Sequence, residues 1–181
     1  HVVTYVRDSS KIRDIDTSKV TVVEGDVNQV HHDALKTCDL IIATHSSKTR
    51  ERYKGYQELV EVARQTGVQR IIGVGGAGQL TLPNGEIKQT EEGWFPTLSP
   101  VTADHQRGLE SVRRSGLSWT WVAPAYMPTD AASSGGYIAS NDRWNDGGMI
   151  PQVDVARFII DEALDPKHTG HVVGLKAKSS S

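Results

Sequence analysis

The sequence predicts an α/β fold in which a parallel sheet carries helices on both faces. Three observations predict it. Short β-branched or apolar runs alternate with longer amphipathic stretches along the chain. Two of those runs, residues 38–44 (CDLIIAT) and 70–74 (RIIGV), are almost continuously apolar, as strands covered on both faces are. Finally, 181 residues with 37% hydrophobic and 23% charged side chains suit one packed globular core.

The elements follow in order. Residues 2–7 (VVTYVR) read as a strand, and 8–11 as a polar turn. Residues 20–23 form a second strand, closed by Glu24-Gly25-Asp26, and 31–36 a short helix. The run 38–44 is the next strand. Residues 49–65 read as a helix, because Tyr53, Tyr56, Leu59, Val60 and Ala63 recur at three- and four-residue spacing and Gly67 follows as a stop. After the strand at 70–74 comes a polar, Gly/Pro-rich loop, 75–98. Ser99-Pro100 then starts a helix, with serine as N-cap and proline in the first turn. Val101, His105, Leu109 and Val112 share one face of it, and it ends at Gly116. Residues 119–123 are a strand, 124–148 a loop, and Val153, Ala156, Ile159, Ile160 and Ala163 mark a last helix. A final strand spans 171–175, and 176–181 is a frayed tail. No repeat or linker interrupts the chain, so residues 1–181 read as one domain.

Composition excludes several classes. A net charge of −2 offers no electrostatic case for nucleic acid or an anionic membrane. No apolar run approaches the ~20 residues that span a bilayer. Cys38, the single cysteine, excludes an internal disulfide and fits a reducing, cytoplasmic setting. His31-His32-Asp33 lacks a third ligand position at sensible spacing, so no metal is expected.

In parallel sheets ligands bind at the carboxyl ends of the strands. Arg7, Asp26, Thr44, Gly75 and Pro124 each follow a predicted strand and should converge on one edge. Residues 73–78 (GVGGAG) match G-x-G-x-x-G literally. The dinucleotide fingerprint, however, needs a helix after the loop to receive the pyrophosphate, and Leu80 to Gly85 (LTLPNG) favours a turn. These glycines instead let the backbone pass close to a ligand or neighbouring strand, or begin a flexible loop.

Taken together, several motifs carry a resemblance. Val6-Arg7-Asp8-Ser9-Ser10-Lys11, Gly25-Asp26-Val27, Thr102-Ala103-Asp104-His105 and Arg113-Arg114-Ser115-Gly116-Leu117 occur in an order and spacing that resembles the atypical short-chain dehydrogenase/reductases. Within them the sequence is similar to the NmrA-like NAD(P)H-binding group and the NADPH-dependent flavin reductases of the biliverdin reductase B kind. The resemblance covers nearly the whole chain and implies a Rossmann-type doubly wound parallel sheet. That family opens with a strand, a glycine-rich loop and a helix, and His1 aligns with the start of its second strand. The expectation is therefore a Rossmann domain lacking its first βα unit, with about 20–30 further residues upstream.

The resemblance also implies roles. Arg7 is similar to an arginine that pairs the adenosine 2′-phosphate, which a guanidinium fork suits. Ser9, Ser10 and Lys11 would assist. NADP(H) is then expected over NAD(H), although Asp8 is adjacent and an arginine at a strand end can simply be solvated. Asp26 and Val27 resemble the pair flanking the adenine, or form a plain strand-ending turn. Thr44, His45 and Ser46 fall where the family passes its backbone beside the cofactor ribose. His105 matches the histidine of a T-x-D-H pattern; it either orients substrate or donates a proton, or is a satisfied cleft histidine. Asp104 beside it reads as solvated. Gly75, Gly76, Pro124 and Tyr126 complete the expected cofactor-binding set. Gly76 stands where the relative has a serine and Tyr126 where it has a histidine.

The Y-x-x-x-K pair of ordinary short-chain dehydrogenases is absent, since Tyr53, Tyr56 and Tyr126 have no lysine four positions on. Three functions remain. The first is NADPH-dependent reduction of a flavin, quinone or similar planar small-molecule acceptor, with Trp94, Phe95, Tyr137 and Trp144 as an aromatic wall or as packing. The second is an NmrA-type regulator that binds the dinucleotide without turnover. The third is a remnant without cofactor binding.

Overall fold

The structure is a computed structural model that describes all residues except 14, 17, 47–50, 91–98, 147 and 179–181. The described residues form seven strands and four helices: β1 (Val2–Val6), β2 (Val20–Glu24), α1 (His32–Leu35), β3 (Leu40–Ala43), α2 (Arg52–Thr66), β4 (Arg70–Val74), α3 (Ser99–Arg113), β5 (Ser118–Pro124), β6 (Tyr137–Asn141), α4 (Gln152–Leu164) and β7 (Val172–Ala177). Short 3-10 turns cover Ser9–Lys11, Ala77–Gln79 and Lys88–Thr90. The class is the α/β fold that the alternation predicts, of the Rossmann-like kind that the resemblance implies.

Period-2 alternation covers both faces of the main sheet. Ile71, Trp121, Ala123 and Val172 face α2 and α3, where they pack with Tyr56, Leu59, Val62, Leu109 and Val112. Their chain neighbours Ile72, Val122 and Val173 face α4 and meet Val155, Phe158 and Ile159. Helix α2 stops at Gly67, whose φ of +84° is the left-handed conformation that glycine adopts without penalty.

Strand order departs from a continuous sheet. One sheet holds β3-β4-β5-β7-β6, and β1 pairs only with β2 in a separate parallel ribbon. The facing edges of β1 and β3 share no ladder. Strand β3 is also covered on one face only, not on both as the run 38–44 suggests: Ile41 and Ala43 are buried, whereas Ile42, on the opposite face, is 45% exposed.

The sequence reading missed β6, which lies in the predicted loop 124–148. Its sequence, YIASN, has no sustained apolar run because it is a half-covered edge strand, antiparallel to β7. Asp142, at φ +59°, follows it. Pairing with β6 also carries Lys176 and Ala177, expected in the tail, into β7. The predicted loop 75–98 contains the two later 3-10 turns, and its residues 91–98 lie outside the described set.

Trp121 and Tyr56 explain three glycines. A Cβ on Gly73 would sit 2.6 Å from Trp121, one on Gly75 2.1 Å from Trp121 Nε1, and one on Gly108 2.7 Å from the Tyr56 ring. The GVGGAG run thus makes room for a buried indole and leads into a 3-10 turn. Among the described residues no α-helix opens directly after it to receive a phosphate.

Gly108 supplies a test. In an ordinary helix interior, Gly→Ala gains about 1 kcal/mol. Here the methyl meets a fully buried ring, and overpacking of about 1–3 kcal/mol should outweigh that gain. Urea denaturation of Gly108→Ala should therefore show a less stable protein. A more stable variant would mean that the Tyr56–Trp121 stack yields.

Candidate functional site

The gap between the two sheets holds a cleft of about 640 Å³. Its floor is the pair of facing strands, with Val3, Tyr5 and Val6 on one wall and Leu40, Ile41 and Ile42 on the other. Its rim is built from the carboxyl ends of the parallel strands and the first residues of α2. The volume lies within the roughly 300–1,000 Å³ typical of small-molecule sites.

Six residues expected from the sequence line this cleft: Arg7, Asp26, Val27, Thr44, His45 and Ser46. Arg7 is exposed at the end of β1. The Asp26 carboxylate also organises its own turn, accepting from Asn28 N at 2.8 Å and Asn28 Nδ2 at 2.9 Å. Ser9, Ser10 and Lys11 stand apart on a 3-10 turn. The Asp8 carboxylate accepts from Ser10 N and Oγ at 3.1 and 2.6 Å and meets Lys11 Nζ at 3.4 Å, while Ser9 N donates to Glu24. Those bonds hold the Asp8 carboxyl below its ordinary range, the Ser10 hydroxyl foremost.

The later cofactor candidates do not line the cleft. Gly75 is buried and turned toward Trp121. Gly76 faces His105, since a Cβ there would sit 3.1 Å from His105 Nδ1. Pro124 closes β5, buried and paired with Leu175, where the sequence reading placed it just past the strand. Tyr126 is 67% exposed. Of the aromatic candidates, Tyr137 packs edge-to-face on Phe158 and Trp144 lies under Lys88 Nζ. Both serve packing. Trp94 and Phe95 lie outside the described residues.

The polar centre beside the cleft turns on residues that the sequence reading passed over. Asp104 is 6% exposed, not solvated, and its carboxylate accepts from the backbone N–H groups of Arg52 and Tyr53 at 3.1 and 3.0 Å. A carboxylate from α3 thereby caps the N-terminus of α2, which favours an anion there. Arg52 lines the cleft and reaches His105, with Nη1 2.5 Å from Nε2. Its backbone carbonyl accepts from His45 Nε2 at 3.0 Å. Arg52 Nε and His45 Nδ1 are buried without a hydrogen-bond partner among the described residues. The sequence signal that was available is its place at the start of a helix, four residues before Tyr56.

Burial sets the charge states. It pushes His105 down to about 4, helped by the Arg52 charge and opposed by Asp104. It also lowers His45. Tyr56, four residues beyond Arg52, is fully buried. Its hydroxyl lies 3.1 Å from the Ala43 carbonyl and 3.0 Å from that of Val74, and accepts from Val74 N at 2.9 Å. Burial drives its phenol well above the ordinary range, so it stays protonated. Among the described residues no group of three or more His, Cys, Asp or Glu side chains could hold a metal, and no helix is long and apolar enough to cross a membrane.

A family described as NAD(P)H-binding matches residues 1–166. The chain belongs to that family. Solved structures share its fold. A candidate NADH-flavin reductase from Streptococcus pneumoniae superposes with a TM-score of 0.79 at 19% identity, covering 98% of this chain and 99% of that one. A short-chain dehydrogenase/reductase from Veillonella parvula, in complex with NADP, gives 0.75 at 17% identity, covering 97% and 82%. An oxidoreductase from Lactococcus lactis gives 0.80 at 18% identity, covering 99% and 80%. At these identities the likeness is one of fold.

His105 gives the NAD(P)H-binding domain a measurable acid weakness. Its folded pKa lies below that of an unfolded histidine, so the unfolded chain binds the extra proton between about pH 6.5 and 4. Stability is full above that window and falls as pH drops through it, by about 3 kcal/mol from this group. Denaturant titrations at pH 6.5 and 4.5 should show a smaller acid loss in His105→Gln than in the wild type. Equal losses would show that His105 is not held neutral by the fold.

Proposed function

We propose that the cleft between β1 and β3 receives the adenosine end of NADP(H), and that the protein reduces a flavin, quinone or similar planar acceptor. One observation carries the reading: Arg7, Asp26, Val27, Thr44, His45 and Ser46 line a single cleft at the carboxyl ends of parallel strands.

The residues present fit part of that cofactor. Arg7 offers a guanidinium for a 2′-phosphate, and Asp8, its neighbour in sequence, is engaged by Ser10 and Lys11. The unpartnered Arg52 Nε and His45 Nδ1 offer a donor and an acceptor to a bound ligand. The pyrophosphate is less well served. The N–H groups opening α2 are taken by Asp104, and among the described residues no glycine-rich turn leads from a strand into a helix at the cleft. A strand, loop and helix filling the gap would pair the open edges of β1 and β3 and supply that cradle.

When bound, the nicotinamide supplies a hydride, and the protein's part is to stack and orient the two rings. His105, neutral at pH 7 and turned to Gly76, would orient the acceptor by hydrogen bonding. The buried Tyr56 and the missing tyrosine–lysine pair argue against alcohol or carbonyl chemistry. They also suit the second reading, an NmrA-type protein that binds the dinucleotide without turnover.

Fluorescence titration with NADPH and NADH tests the site. Arg7→Ala should weaken NADPH about tenfold to a hundredfold, the loss of a charged contact of roughly 1.5–3 kcal/mol, and leave NADH unchanged. Equal loss for both cofactors, or none, would remove the 2′-phosphate assignment. NADPH oxidation with a flavin or quinone separates the functions, and tight binding without oxidation of NADPH by any such acceptor would select the regulator.

A further inference from the structure

Arg52 touches two histidines with two chemically opposite groups. Its guanidinium has only N–H donors, so the His105 Nε2 that it meets must offer a lone pair. A neutral imidazole with a free Nε2 carries its proton on Nδ1. Its backbone carbonyl has only lone pairs, so the His45 Nε2 beside it must carry the proton. A neutral His45 then has its lone pair on Nδ1, the buried atom that has no partner among the described residues.

We infer that Arg52 is a positioning residue that locks His45 and His105 into opposite tautomers, so that the site presents an acceptor at His45 Nδ1 and a donor at His105 Nδ1. The acceptor lies on the cleft wall and suits a sugar-type hydroxyl. The donor lies against the Gly76 turn and suits a carbonyl oxygen or ring nitrogen of a planar acceptor. Asp104 acts one step earlier, because its two bonds to the start of α2 fix where Arg52 emerges. Those ligand assignments rest on the proposed reductase reading, whereas the tautomers are set with no ligand bound.

Long-range ¹⁵N–¹H correlation spectra of the histidine rings at pH 7 test it, with His45→Asn and His105→Asn used for assignment. The wild type should show His105 protonated on Nδ1 and His45 on Nε2. In Arg52→Met, His105 should move toward the Nε2-protonated form while His45 stays as it is, since a backbone carbonyl survives the substitution. Arg52→Lys keeps a single donor and should keep the wild-type form of His105. An Nε2-protonated or doubly protonated His105 in the wild type would overturn the inference, as would an unchanged His105 in folded Arg52→Met. If that variant does not fold, the wild-type and Arg52→Lys spectra decide. A protein with the expected tautomers but no NADPH oxidation would sink the reductase reading and leave this inference standing.

Discussion

Asp104 holds the site together by capping a helix that is not its own. Its carboxylate is buried, and a buried carboxylate is tolerable only when its oxygens are bonded. The N–H groups of Arg52 and Tyr53 supply those bonds, and in the same contact the first turn of α2 loses two of its orphan donors. This ties α3 to the start of α2 across some fifty residues of sequence. Arg52 and Tyr56 then follow at i and i+4, on one face of the helix. Arg52 reaches the two histidines. Tyr56 reaches the backbone at Ala43 and Val74 and joins the ends of β3 and β4 through its hydroxyl. A single cap thus registers a helix against the strand ends and aims the cation at the cleft.

The second constraint is the break in the sheet. The β1–β2 ribbon is held to the rest by side chains and not by a ladder. Val30 is buried against α2, Tyr5, Val27 and Leu35 pack partly around it, and Val30 N donates to Glu58. Such packing is enough to place Arg7 and Asp26 opposite Thr44 and His45, but among the described residues no ladder joins the edges of β1 and β3. Unpaired edges are avoided in most proteins because they attract other strands. Here the opening also creates the cleft. Anything that entered it would act on stability and on ligand binding together, since the facing strands form its floor.

The sequence was most legible where local rules decide. Strand β4 fell on its predicted residues, Gly67 ended α2 with the expected positive φ, and the strand-end residues of β1, β2 and β3 gathered in one place. It was least legible where tertiary partners decide. Nothing local marks YIASN as a strand, because β6 exists only against β7. Residues 38–44 read as doubly covered because hydrophobicity reports the demand for cover and not whether anything packs on the face of Ile42. The glycines of GVGGAG read as backbone passing close to a ligand or a neighbouring strand, or as a loop start, and for two of them the neighbour is Trp121 of β5. Arg52 was passed over because its meaning lies in His105, far along the chain. Asp104 read as solvated because a cap donated by another helix has no sequence signature.

The electrostatics narrow what chemistry the side chains can perform. An imidazolium at His105 would sit against the Arg52 guanidinium in a place where water is largely excluded, and burial already disfavours it. Tyr56, which has no lysine four positions on, is buried, triply engaged with backbone and held protonated by the same desolvation. Two classical acid–base side chains are therefore withheld from proton transfer at neutral pH, while each keeps its hydrogen bonds. A reaction needing a strong protein acid would be poorly served by such a site. Hydride delivery from a nicotinamide to a flavin or quinone asks for something else: fixed donors and acceptors that hold two flat rings in register, with the acceptor's own ring atoms stabilising the charge. Under the proposed reading, opposed neutral imidazoles set by one arginine would meet that demand.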